Sequence, residues 1–260
     1  MLTKRLIACF DIVKGRVTKA VQFQNNIDVA PAEELAGVMY DLQIDELIFY
    51  DIAASAEKRS IDIDTVKKVA RRVFIPFTVG GGIKNLEEMY EALKAGAEKI
   101  SIDSMAVRSP QIISDGAKAF GSQCIVLSTQ VKRTNTTPSG YEVYIDGARL
   151  ATGLDAIEWI KRGQELGAGE ICLNSIDNDG TLSGYDLELI KLAEAAVTIP
   201  LIASGGAGKP EHLKALFTET DALAAIISSM LYSPRMERNY TTYELKDYLI
   251  ESGINMRPRK

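Results

Sequence analysis

Two apolar runs, about half a chain apart, each end in a polar side chain. Asp11 closes Leu6-Ile7-Ala8-Cys9-Phe10, and Gln130 closes Ile125-Val126-Leu127-Ser128-Thr129. A basic segment follows each, Lys14-Gly15-Arg16 and Lys132-Arg133. A carboxylate such as Asp11 at a strand end suits general acid/base work; the structural alternative is a carboxylate that accepts loop N–H groups. Gln130 can orient a substrate by hydrogen bonding but accepts no proton near neutral pH. Two glycine loops, Gly80-Gly81-Gly82 and Gly205-Gly206, each precede a helical stretch. Without side chains, such backbone approaches a phosphate closely and aims N–H groups at it. The bland alternative is a tight turn, but the loop occurs twice, and after each a strand ends at a serine, Ser104 or Ser228. Two such loops on opposite sides of a barrel suit a long substrate with a phosphate at each end. Asp51, Asp177 and Asp179 add carboxylates. Asp177-Asn178-Asp179-Gly180 looks like a cation loop but lacks the remaining ligands of a calcium site, and reads as a turn with a substrate-facing residue.

Composition removes several classes of chemistry. The single histidine, His212, follows Pro210 early in a predicted helix and is expected at the surface. A Ser-His-Asp or Cys-His relay and a multi-histidine metal site are therefore not expected. Proton transfer falls to carboxylates, lysines, tyrosines or water, and neither metal nor cofactor is expected. Cys9, Cys124 and Cys172 are odd in number, far apart and each in a strand-like run, as expected of buried thiols in a reduced cytoplasm. A net charge of −5 with mixed signs argues against nucleic acid as the main partner. No apolar run approaches the roughly 20 residues of a membrane span, and Met1-Leu2-Thr3-Lys4-Arg5-Leu6 lacks a signal-peptide core.

The elements that must position these groups alternate along the whole chain. Strands are predicted near residues 6–11, 46–51, 75–79, 99–103, 124–130, 170–174, 199–203 and 222–227. Amphipathic helical stretches lie between them, among them Pro31 to Leu42, Leu86 to Lys94, Asp155 to Leu166 and Tyr185 to Ala195. Eight strands alternating with helices in about 250 residues match a (β/α)8 barrel, with a doubly wound open sheet as the other arrangement. An internal repeat decides between them. Phe74-Ile75-Pro76-Phe77-Thr78-Val79-Gly80-Gly81-Gly82 returns as Thr198-Ile199-Pro200-Leu201-Ile202-Ala203-Ser204-Gly205-Gly206, and the same offset carries Glu46 onto Glu170 and Ser104 onto Ser228. A duplicated half-barrel explains this; an open sheet does not. Residues 1–260 are expected to form one barrel domain.

Ligands of such barrels bind at the carboxyl ends of the strands. That mouth is expected to be lined by Asp11, Asp51, Gly80 to Gly82, Asp103, Ser104, Gln130, Asn174, Ser175, Gly205, Gly206, Ser228 and Ser229. A long loop, Lys14 to Asp28, carries Lys19, and Lys132 to Leu150 reads as an inserted hairpin beside the mouth. At the opposite end Arg5, Glu46, Lys99 and Glu170 begin strands. They form either a solvated rim or a ring that closes the barrel.

Together these stretches resemble the cyclase subunit family of imidazole glycerol phosphate synthase, HisF. The similarity is nearly full length. It includes Lys4-Arg5, Gly15-Arg16-Val17, Asp45-Glu46-Leu47, Gly80-Gly81-Gly82-Ile83, Phe120-Gly121-Ser122-Gln123-Cys124, Gly167-Ala168-Gly169-Glu170, Gly184-Tyr185-Asp186-Leu187-Glu188 and Ile202-Ala203-Ser204-Gly205-Gly206-Ala207-Gly208. The resemblance implies an enzyme that takes ammonia from a HisH-like glutaminase docked on the amino-terminal barrel face. The ammonia passes a charged gate, here Arg5, Glu46, Lys99 and Glu170. It meets a doubly phosphorylated ribulosyl substrate at the mouth, giving imidazole glycerol phosphate and an aminoimidazole carboxamide ribotide. The implied site comprises Asp11 and Gln130 as catalytic positions. Lys19, Gly81, Gly82, Asp103, Ser104, Asn174, Asp179, Gly205, Gly206, Ser228 and Ser229 would hold substrate and phosphates.

The reaction end departs from the family pattern. The family uses two aspartates as acid and base, and the second is Gln130 here. Asp103 stands where asparagine is usual, Ile27 replaces an arginine, and Met230-Leu231-Tyr232-Ser233-Pro234-Arg235 replaces a phenylalanine-histidine stretch. Two other functions therefore stay open: delivery of ammonia to a different acceptor, such as a sugar amidated for surface polysaccharide, and a non-catalytic barrel that docks and activates a glutaminase.

Overall fold

A computed structural model describes residues 2–21, 24–54, 57 and 59–257, and the side chains of residues 20–26 also lie outside the description. Its strands are β1 (Arg5–Val13), β2 (Arg16–Val21), β3 (Gln24–Pro31), β4 (Glu46–Asp51), β5 (Phe77–Gly80), β6 (Lys99–Ile102), β7 (Ile125–Arg133), β8 (Tyr141–Ile145), β9 (Leu150–Asp155), β10 (Glu170–Ser175), β11 (Leu201–Ser204) and β12 (Ala224–Ile226). The helices are α1 (Ala32–Asp41), α2 (Ile63–Ala70), α3 (Leu86–Lys94), α4 (Ser104–Arg108), α5 (Gln111–Phe120), α6 (Ala156–Glu165), α7 (Leu187–Glu194), α8 (Pro210–Glu219), α9 (Ser228–Tyr232) and α10 (Thr242–Glu251). Eight strands pair in parallel around a closed ring, β1-β4-β5-β6-β7-β10-β11-β12 and back to β1. The fold is a (β/α)8 barrel. The repeat is visible in the elements: the offset relating Glu46 to Glu170 carries α1 onto α6, β4 onto β10, α2 onto α7, β5 onto β11 and α4 onto α9.

Short polar residues fix several helix starts. Asn85 accepts from Glu88 N–H, Asp155 from Ile157 and Glu158 N–H, and Asp186 from Leu189 N–H. Each such cap is worth about 1 kcal/mol because it satisfies amides with no partner inside the helix. The segment expected as a loop from Lys14 to Asp28 is largely a second hairpin. There β2 pairs antiparallel with the end of β1 and with β3, with residues 22 and 23 outside the described set. The hairpin expected at Lys132 to Leu150 is built by β7, β8 and β9. Cys124 differs from the expectation: it ends a 3-10 turn before β7 rather than lying in a strand. His212 is half-buried, its Nδ1 accepting from Gly208 N–H at 3.2 Å.

Side chains alternate across each strand, so every second residue faces the barrel axis. On β1, Leu6, Ala8, Phe10 and Ile12 pack outward under the helices, while Ile7 belongs to a separate core inside the barrel. That inner core comprises Ile7, Ile48, Val126, Cys172, Ile202, Ala224 and Ile226, with Cys9 and Tyr50 packed against it. The alternation creates inward columns that run the length of the barrel. Arg5, Ile7, Cys9 and Asp11 form one; Glu46, Ile48 and Tyr50 form the next. Lys99, Ser101 and Asp103 form a third, and Glu170, Cys172 and Asn174 a fourth. A charge at the foot of a strand and a polar group at its head thus share one column.

Candidate active site

At the amino-terminal end the four charges close into a ring. Arg5 donates to Glu46 and to Glu170, both at 2.5 Å, and Lys99 Nζ lies 2.8 Å from Glu170 and 3.3 Å from Glu46. Every charge in the ring faces opposite charges on both sides. The Arg5 guanidinium, although disfavoured by burial, is held more firmly charged by Glu170 and Glu46. Of the two readings of these residues, rim or ring, the geometry is the ring.

At the other end lies a cavity of about 950 Å³. Most of the expected mouth residues line it: Asp11, Lys19, Asp51, Gly81, Gly82, Asp103, Ser104, Gln130, Asn174, Asp179, Gly205, Gly206, Ser228 and Ser229. Gly80 and Ser175, also expected there, are buried in the strand ends outside the cavity lining, and Ser175 Oγ bonds Asn178. Their environments differ. Asp11 and Asp179 lie near Lys19; burial pushes both carboxyls up, and Lys19 pulls both back down. Lys19 also sits over the Tyr232 ring, 5.9 Å from its centre. Its register partner on β3 is Ile27, so the hairpin brings one cation here rather than two.

Asp103 and Gln130 meet across the heads of β6 and β7. The Gln130 amide favours the charged form of Asp103, but burial dominates, and with Asp146 nearby the carboxyl is pushed up to about 7. Gln130 Oε1 in turn accepts from Asn174 Nδ2 at 2.7 Å, across the register pair that joins β7 to β10. Asp103 precedes α4 in the cap position yet makes no capping bond, which leaves its carboxyl to the cavity.

Several groups near the mouth are already committed. Asp51 is bound by two Arg59 N–H groups at 2.6 and 2.8 Å and by the amides of Ala54 and Asp62, so this carboxylate holds its loop. Asp177 accepts from Arg133 N–H at 2.8 Å. Arg108 pairs with Asp146 at 2.6 Å, and Ser104 Oγ accepts from Asp146 N–H. Ser228 Oγ bonds both the amide and the carbonyl of Cys9 at 2.8 Å. The hydroxyl proton of Ser228 is thus committed to Cys9, which leaves backbone N–H groups as the natural anion donors there, while Ser104, whose oxygen only accepts, keeps its O–H to donate.

The glycine loops have steric as well as chemical reasons. Gly81, Gly82, Gly205 and Gly206 all have positive φ, from 76° to 100°. A Cβ on Gly206 would lie 1.9 Å from the Gly184 carbonyl oxygen, and one on Gly81 2.4 Å from that of Asp51. No side chain fits either place.

One lumen residue escaped the sequence reading. Tyr50 stands between ring and mouth, its hydroxyl 3.1 Å from Ser101 Oγ and 3.3 Å from Ser128 Oγ. Counting by twos from Glu46 would have found it. Among the described residues no group of three His, Cys, Asp or Glu side chains could hold a metal ion, and no helix is long and apolar enough to cross a membrane.

Against known sequences, residues 5–237 match the family described as histidine biosynthesis protein. The chain belongs to that family. It is 51% identical over 260 residues to imidazole glycerol phosphate synthase subunit HisF of Desulfosudis oleivorans, covering 99% of both chains. The HisF subunit of Desulfatibacillum aliphaticivorans is also 51% identical, with 99% of this chain and 98% of that one covered. That of Syntrophobacter fumaroxidans is 49% identical, with 99% of each covered. The matched lengths cover both ends of the barrel, the ring as well as the mouth.

Proposed function

We propose that this chain is the cyclase subunit of imidazole glycerol phosphate synthase, a C–N bond-forming enzyme of histidine biosynthesis that uses ammonia from a HisH-like glutaminase. The observation that carries the reading is the shared inward columns, with full-length similarity to HisF subunits behind it. The glutaminase docks on the amino-terminal face around the Arg5, Glu46, Lys99 and Glu170 ring. Ammonia released there passes the ring and the inner core, and reaches a ribulosyl substrate phosphorylated at both ends. Backbone N–H groups at Gly81, Gly82 and Ser104 hold one phosphate; those at Gly205, Gly206, Ser228 and Ser229 hold the other. Lys19, Asn174 and Asp179 contact the body of the substrate, and Asp11 exchanges protons with it. The products are imidazole glycerol phosphate and an aminoimidazole carboxamide ribotide.

A second reading, ammonia delivered to a different acceptor, draws its support from Gln130 and Asp103, which depart from the family pattern at the mouth. One assay separates the two. The purified chain is given the ribulosyl substrate and an ammonium salt, and imidazole glycerol phosphate is measured. Steady formation supports the cyclase. No product, with the protein folded and the substrate bound, moves the function to another ammonia acceptor.

A further inference from the structure

The chemistry proposed above needs two proton-exchanging groups, and the mouth shows where the second one is. Ammonia adding to a carbonyl forms a C–N bond and opens the C=O π bond; the nitrogen must lose a proton and the oxygen must gain one. An ionised carboxylate and a protonated one accomplish this with no net uptake: each ends in the other's starting state. Gln130, on the strand opposite β1, can do neither. The remaining acids sort by their partners. Asp51 is locked by Arg59, Asp146 by Arg108 and Asp177 by an amide of β7. Asp179 shares Lys19 with Asp11, so the same cation acts on both carboxyls. Asp103 stands three strands around the barrel from Asp11, lines the same cavity, caps no helix and has no ion pair among the described residues.

We propose that Asp103 is the general acid of this active site, working opposite the base Asp11, and that Gln130 positions its carboxyl. At the mouth of this chain the carboxyl stands at the head of β6 and the amide at the head of β7, and the amide bonds the carboxyl. The assignment of acid and base follows from the neighbours. Lys19 favours the ionised form of Asp11, whereas burial and Asp146 favour the protonated form of Asp103. The groups facing Asp103 are the Gln130 amide from β7, Asp146 from the β8–β9 turn, the Arg108 guanidinium from α4 and the Cys172 thiol from β10. Arg108 is turned to Asp146.

The inference rests on the cyclase reading, and the test separates the two. Steady-state kinetics with ammonium and the ribulosyl substrate are measured across pH for the native chain, Asp103→Asn, Asp103→Glu and the double variant Asp103→Asn/Gln130→Asp. With free ammonia kept saturating at every pH, native kcat should fall as pH rises through about 7, where Asp103 loses its proton. Asp103→Asn should lower kcat by about 10²- to 10⁴-fold with little change in KM, and remove that alkaline limb. The double variant should regain much of the rate, and Asp103→Glu should keep a shifted limb. If Asp103 instead merely repels a phosphate, Asp103→Asn raises turnover or tightens KM, and the proposal fails. An unchanged profile in folded Asp103→Asn defeats it equally. A native chain without turnover overturns the cyclase reading itself and takes this assignment with it.

Discussion

The two ends of the barrel carry similar residues in opposite circumstances. At the amino-terminal end every acid of the ring faces two cations within 2.5 to 3.3 Å, and just outside it Asp45 is paired with Lys246 at 2.6 Å. At the mouth Asp11, Asp103 and Asp179 lie in a pocket with Lys19 as the cation that acts on two of them. Paired charges at the foot contribute to closure; under-paired charges at the head have raised carboxyl pKa values, the state that proton transfer requires. The same strands supply both. Substitutions at the head should therefore lower activity while sparing or raising stability, whereas those that unpair charges at the foot should lower stability.

The largest expected effect is at Asp11. Asp11→Asn should reduce ammonium-driven turnover by about 10²- to 10⁴-fold, or several kcal/mol of barrier. Its thermal midpoint should not fall, since an uncharged amide suits this buried place better than a carboxylate. A parallel loss of midpoint and rate would make Asp11 a structural acceptor instead.

Next comes the buried pair outside the ring. Lys246 is 2% exposed, and Asp45 also accepts from Leu6 N–H at 2.9 Å. Lys246→Met leaves Asp45 charged without its cation and should cost about 3–5 kcal/mol in denaturant unfolding. A loss below about 1 kcal/mol would show that the foot of the barrel does not depend on pairing.

At the mouth, stability should depend on pH through Asp103. The folded pKa of Asp103, about 7, exceeds that of an unfolded aspartate, so the folded chain holds this proton more tightly. The contribution is complete below about pH 4 and is lost as pH climbs to about 7. Asp103→Asn should thus match the native midpoint near the acid limit and exceed it above neutrality. A smaller midpoint for the variant at pH 8 would remove the contrast between the two ends.

Much of this arrangement was legible in the sequence because barrel geometry converts counting into place. Spacing by twos sends Arg5 and Asp11 to opposite ends of one column, and the repeat of Glu46 at Glu170 marks the ring. The exact repeat of α1 at α6 shows how far the half-barrel offset reaches. What remained hidden depends on contacts between strands. Nothing local shows that Asp51 is bound by Arg59, or that the hydroxyl of Ser228 is taken by Cys9. The meeting of Asp103 with Gln130 is equally non-local: two substitutions that look independent along the chain become neighbours only when β6 and β7 pair. The hairpin of β2 and β3 escaped because its apolar residues are interspersed with Lys19, Asn25, Asn26 and Asp28 and its pairing breaks register twice.

The smallest expected effect tests the region between the ends. Tyr50 bridges Ser101 and Ser128 inside the lumen, and burial holds its hydroxyl, like the thiols of Cys9 and Cys172, strongly toward the neutral form. The middle of the barrel is thus polar but uncharged, a path that suits ammonia and opposes ammonium, whose charge would be desolvated there without a counter-ion. Tyr50→Phe removes a neutral hydrogen bond and should cost about 1 kcal/mol, a drop of about 2–4 °C in thermal midpoint. Its pH–rate profile with added ammonium should match that of the native chain, because a neutral phenol contributes no titration between the two ends. A shifted profile would place a proton carrier in the lumen, and the division into charged foot, neutral middle and proton-exchanging head would fall.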